Sequence, residues 1–133
     1  MNTEEIISIR NSYVRCVAQS NFPLAFYDKF ICSSPDIEKK FTNVFNIKKR
    51  VMVTRGLSSL IKLAEDGQPD EAMQALAEKH NRNNLDIFPE FYSKYKFYMM
   101  KTLKEFDHLF DAQLEKLWEE IIDNGIQFFI QNY

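Results

Sequence analysis

The sequence predicts an all-α chain, and three observations carry that expectation. Apolar residues recur at three- and four-residue intervals along most of its length, and prolonged period-2 alternation is absent. Glycine and proline are scarce, three and four in 133 residues, which leaves room for short connections only. Where these breakers and the small polar residues do fall, they coincide with the points at which one apolar stripe ends and the next begins.

The first helix is expected from Thr3 to about Ala18. Ile6, Ile9, Tyr13 and Val17 share a face, with Ile7 and Val14 alongside. Asn21-Phe22-Pro23 reads as the next helix start, because proline lacks an N–H that the first turn would leave unpaired anyway. That helix carries Phe26, Tyr27, Phe30 and Ile31, and stops at Ser33-Ser34-Pro35. Ser34 can cap a short helix opened by Pro35-Asp36 and delivering Ile37 and Phe41.

A loop from Thr42 to Asn46 then leads into a longer helix with a broad apolar face made by Ile47, Val51, Val53, Leu57, Leu60, Ile61 and Ala64. Asp66-Gly67 ends it, glycine being the usual left-handed terminator. Pro69-Asp70-Glu71 opens a short helix that ends at His80, followed by the polar connection Asn81-Arg82-Asn83-Asn84. Pro89-Glu90 opens the next helix, with Phe91, Tyr95, Tyr98 and Leu103 on one stripe and Tyr92, Met99 and Phe106 on its flank. Asp111 caps the last helix, along which Leu114, Leu117, Ile121, Gly125 and Phe128 follow at helical intervals, widened by Trp118, Ile122 and Phe129. The expectation is six or seven helices in one domain spanning 1–133, without repeats or linkers.

Composition narrows the function classes. Net charge is −2 with both signs interspersed, so no general field favours nucleic acid or an anionic membrane. No apolar run reaches the roughly 18 residues needed to span a bilayer. The acidic start, Met1-Asn2-Thr3-Glu4-Glu5, lacks the features of a secretory signal, and the expected location is cytoplasmic. Cys16 and Cys32 have no metal-type spacing and read as reduced thiols in helices. Lys48-Lys49-Arg50 reads as a solvated face at a helix start. Aromatic residues are abundant at 14%, and their stripes, with Met99-Met100, read as core filling.

One stretch stands apart. In Leu76-Ala77-Glu78-Lys79-His80, the residues Ala72, Leu76 and His80 fall at i, i+4 and i+8 on one face, which places an imidazole at the core end of an apolar stripe. A buried polar group left unsatisfied costs roughly 1–3 kcal/mol. The ring therefore needs a partner, either a backbone carbonyl or a metal. His108, beside Asp107 in a charged stretch, reads as a surface residue.

The order and spacing of several separated residues resemble a globin, closest to the single-domain bacterial globins. They are Pro35 opening a short helix, Phe41 six residues later, a long helix after a short loop, the Leu76-Ala77-x-x-His80 signature, and two long final helices. The resemblance covers nearly the whole chain and implies a globin-like fold of six to seven helices enclosing one haem pocket. It implies His80 as the proximal iron ligand, Phe41 as the aromatic packed on the haem face, and Tyr27 as a distal hydroxyl donor. Val53 corresponds to the aliphatic residue over the distal side.

Leu76, Leu85 and Ile87 would line the proximal wall. The distal gate position falls on Lys49, where histidine or glutamine is usual. Burying a charged lysine in an apolar pocket is expensive. The readings are a lysine with its ammonium directed to solvent or a propionate, a register displaced by one, or a lysine turned inward toward ligand or iron. Arg82 would either pair with a propionate or cap its helix.

The resemblance thus implies a haem protein that reversibly binds dioxygen or another diatomic gas, O2, NO or CO. Two alternatives are nitric oxide dioxygenation, for which a separate reductase would supply electrons, and a globin-fold sensing or interaction module with or without haem.

Overall fold

The computed structural model describes residues 1–41 and 44–133, and among them it contains seven helices and no strand. They are α1 (Thr3–Val17), α2 (Phe22–Ile31), α3 (Pro35–Lys40), α4 (Asn46–Asp66), α5 (Glu71–His80), α6 (Pro89–Phe106) and α7 (Ala112–Gln131). The expected loop at Thr42 and Asn43 lies outside the described residues. Val44 and Phe45 precede α4, which begins at Asn46.

Local chemistry fixes the ends. Asn2 and Glu5 form a reciprocal capping box at the start of α1. Ser34, Asp70 and Asp111 each accept a hydrogen bond from a first-turn amide of α3, α5 and α7, at Ile37, Met73 and Leu114. Gly67 closes α4 in the left-handed region at φ 73°, with its N–H donating to the Leu63 carbonyl at 2.8 Å.

The scaffold is two long helices, α4 and α7, packed on each other, with α1 lying against both. On the other side α2 packs against α4 and α6, and α6 against α7. Trp118, Phe22, Leu57, Ile61, Met99, Leu103, Ile121 and Ile122 form a fully buried core between them. At the crossing of α7 with α4 a Cβ on Gly125 would overlap Leu60 Cδ2, so that the close approach requires glycine. By contrast α5 touches only α4 and α7 among the helices it packs on closely. It is held as a flap along one side of the bundle.

At the far end, a polar knot is buried in this core. The Asp107 carboxylate accepts from Ser12 Oγ at 2.5 Å, from Arg15 Nε at 2.6 Å and from the Leu109 amide at 3.0 Å. Trp118 Nε1 donates to Ser12 Oγ at 2.9 Å, which ties the knot to α7. Because each of these groups has a partner, a buried carboxylate is tolerated there.

The apolar faces expected from periodicity hold with local exceptions. Ile7 and Val14 on α1 are exposed, as are Ile47 and Val51 at the start of α4. Ile47 sits in the first turn of α4, past the core, whereas Val51, a turn later, borders a cavity and not packed protein. Cys16 is buried and Cys32 exposed, and both are free thiols. Among the described residues no helix is long and apolar enough to cross a membrane.

Candidate functional site

Between α4, α5 and the α2–α6 pair lies a cavity of about 540 Å³, within the usual range for small-molecule and cofactor sites. Its walls are mostly apolar and aromatic. Phe26, Tyr27 and Phe30 of α2, Phe41 after α3, Val53 and Leu60 of α4, and Phe91 and Tyr95 of α6 form one side. Leu76 and His80 of α5, Ile87, and Ile122 and Phe129 of α7 close the other.

His80 is the last residue of α5. The helix stops because Asn81 adopts an extended conformation and the returning chain takes the final carbonyls. The Leu85 amide donates to the Lys79 carbonyl and the Ile87 amide to the His80 carbonyl, both at 3.0 Å. Asp86 reverses the chain in the left-handed region at φ 52°. The imidazole is thereby held against the Phe129 ring, 5.7 Å between centroids, and Phe129 stacks on Tyr92 at 5.6 Å.

Burial, with a smaller contribution from the Lys79 charge, pulls the His80 imidazole down to about 4, so it is neutral near pH 7. Its Nδ1 is buried and has no hydrogen-bond partner. Among the described residues it is the one side-chain polar atom so placed. The backbone-carbonyl partner that the ring could have used is absent from its surroundings.

Six of the eight residues singled out from sequence line this cavity: His80, Phe41, Tyr27, Val53, Leu76 and Ile87. Two stand outside it. Leu85 packs half-buried against the core, with its carbonyl accepting from Lys40 Nζ at 2.9 Å. Lys49 is not among the lining residues; its ammonium lies over the Tyr27 ring, 5.0 Å from the centroid, a cation–π contact. Its neighbour Lys48 borders the cavity instead.

The stripe Ala72-Leu76-His80 lies on one face of α5, as its spacing predicts, and that face lines the cavity. Met73 and Ala77 are the buried residues of α5, and Met73 borders the cavity as well. Helical periodicity marks an apolar face without saying whether protein or open space lies against it. Arg82 makes no bond to a carbonyl of α5 and is engaged instead by Tyr133. Its backbone N–H donates to the Tyr133 carbonyl at 3.1 Å and its guanidinium lies over the Tyr133 ring. His108 is exposed, as expected.

Sequence reasoning missed the rim. Lys48, Met52, Arg55 and Ser59 of α4 face Ala72, Ala75 and Lys79 of α5 across the opening. Their spacing is helical, but a stripe mixing lysine, methionine, arginine and serine carries no apolar signal. Gly56 lies in the same wall, and a Cβ there would meet nothing within 4 Å.

Tyr27 is buried, and its hydroxyl donates to the Phe41 carbonyl at 3.3 Å. Burial pushes its phenol up to about 12, which keeps the O–H protonated. Tyr27, Phe41, Phe30 and Tyr95 follow one another in edge-on and tilted contacts at 5.8 to 6.3 Å, forming a continuous aromatic wall.

The order of these helices, with a cavity between α4 and α5 and a histidine closing α5, has a counterpart in a solved structure. A crystal structure from Pseudomonas aeruginosa PAO1, of a protein described as structurally highly homologous to a human hemoglobin, matches with a TM-score of 0.89 and 29% identity. The match covers 97% of this chain and 98% of that one.

The chain is a globin-like protein.

No family model matches the chain, and neither does any curated protein. The chemistry of the globin-like pocket can be tested against the group such folds are known to hold. Among the described residues no three His, Cys, Asp or Glu side chains converge as metal ligands. A lone imidazole can hold a metal only at one axial position of an ion that brings its other ligands with it, as iron in a porphyrin does. The neutral His80 ring, the apolar walls and the basic rim of Lys48, Arg55 and Lys79 fit a flat apolar group with a carboxylate edge.

Proposed function

We propose that this globin-like chain binds haem through His80 and uses it to bind a diatomic gas, dioxygen, nitric oxide or carbon monoxide, reversibly. The observation that carries the reading is a neutral imidazole lining an apolar cavity, whose second ring nitrogen, Nε2, no described protein group engages. Haem would supply an iron with a coordination position open to the gas.

The chain's own residues divide the remaining tasks. His80 presents a ring nitrogen without needing to lose a proton, and Phe129 fixes the plane of its ring. Leu76 and Ile87 exclude water on that side, and Phe41 and Val53 pack the opposite wall. The Tyr27 hydroxyl is a neutral donor whose present bond to the Phe41 carbonyl is long, at 3.3 Å, and therefore cheap to exchange for a ligand acceptor. Lys49 leaves no ammonium in the apolar pocket, since it lies on the Tyr27 ring. Lys48, Arg55 and Lys79 would meet the carboxylates at the rim.

The test is an absorption spectrum of the protein expressed with haem available, reduced and then exposed to carbon monoxide, beside His80→Ala. The expected result is an intense Soret band that shifts with carbon monoxide and is weakened or altered in ligation by His80→Ala. A folded helical protein without a Soret band would overturn the reading and leave a haem-free globin-like module.

A further inference from the structure

Three phenols line the cavity, and they are in different states. The Tyr27 hydroxyl is engaged by the Phe41 carbonyl. Tyr92 is stacked on Phe129, and its phenol is raised by burial and by the neighbouring Tyr133.

Tyr95 differs from both. Its ring is fixed by two edge-on contacts, Phe26 at 5.3 Å and 75° and Phe30 at 6.2 Å and 88°. Its hydroxyl makes no hydrogen bond to any described residue, yet it is not sealed in protein as His80 Nδ1 is. Tyr95 is one of the cavity-lining residues, and we take the cavity as the space to which that hydroxyl opens. Burial pushes its phenol up, so the O–H stays protonated throughout the ordinary pH range.

A rigid neutral donor without a protein partner, in an apolar wall, is a poor use of a tyrosine if the position only fills space. Phenylalanine would fill it equally well and would carry no polar atom to desolvate. We propose that the Tyr95 hydroxyl is a hydrogen-bond donor to the small ligand held in the cavity, and that it, together with Tyr27, sets how long that ligand is retained. The inference rests on the haem-binding reading. The two phenols approach from one aromatic wall, joined through Phe41 and Phe30. Tyr27 must give up a protein acceptor to reach the ligand, whereas Tyr95 gives up nothing.

The experiment compares the unaltered chain, Tyr95→Phe and Tyr98→Phe, at a tyrosine of α6 that does not line the cavity, all loaded with haem, by infrared spectroscopy of the carbon monoxide complex and by dioxygen dissociation rate. Tyr95→Phe keeps the ring and its two edge contacts, and circular dichroism checks the fold. The expected result is a shift of the C–O stretch to higher wavenumber and about fivefold faster dioxygen loss, the size of one neutral hydrogen bond. Tyr98→Phe should move neither. An unchanged stretch and rate in Tyr95→Phe, with a normal Soret band, would overturn this inference and leave haem binding intact. Absence of a Soret band in the unaltered chain would overturn both.

Discussion

The guanidinium of Arg82 lies over the ring of Tyr133, 4.8 Å from its centroid, and so joins the connection after His80 to the last residue of the chain. The contact is doubled in both directions. Arg82 donates from its backbone N–H and from Nε to the Tyr133 carbonyl, and the Tyr133 hydroxyl donates to the Asp86 carboxylate. A flap that packs closely on only α4 and α7 is thereby pinned at its His80 end.

Tyr133→Phe should loosen that pin without disturbing the core. The expected outcome is faster amide hydrogen exchange in Asn84, Asp86 and Ile87, with the amides of Ile121 and Ile122 unchanged. Equal protection of the connection in both proteins would show that the Asp86 bond does not hold it.

The polar knot around Asp107 makes a larger prediction. Asp107→Ala would leave the Ser12 hydroxyl and the Arg15 guanidinium without their acceptor, at a cost of about 3 kcal/mol. Chemical denaturation should show the midpoint falling with little change in slope. Burial alone would raise the Asp107 carboxyl, but the hydrogen bonds from Arg15, Ser12 and the Leu109 amide outweigh it and hold the group below the usual aspartate value. A carboxyl depressed in the folded state stabilises fully above its unfolded value. That contribution is lost as pH falls through the folded value, so the knot weakens only in strong acid.

His80 acts in a milder window. Its folded value near 4 lies below the unfolded value near 6.5, so the unfolded chain takes up a proton first. Haem-free protein should therefore be most stable, as far as this group is concerned, above pH 6.5. It should lose on the order of 2 kcal/mol as pH falls toward 4. His80→Leu should remove that slope in urea titrations run at pH 7 and pH 4.5. A slope that survives the substitution would assign it to other groups.

How much of this could be read from the residues depends on how local the cause is. Helix ends were legible because caps act over three residues: Ser34, Asp70, Asp111 and Gly67 each stand where the pattern put them. The aromatic pair Tyr27 and Phe41 and the histidine at the end of α5 were legible through the resemblance, and they converge on one cavity. The contact of Arg82 with Tyr133 was not legible, because that partner is 51 residues away. Tyr95 read as core filling, since an apolar stripe does not say which of its aromatic rings ends at open space.

The glycine at the crossing of α7 and α4 has an effect beyond packing. Leu60, the side chain that a Cβ at position 125 would displace, is also a cavity-lining residue. Gly125 itself does not border the cavity, yet anything larger there would push Leu60 from its present place. The shape of one cavity wall is thus set partly by a residue of α7 that does not line it.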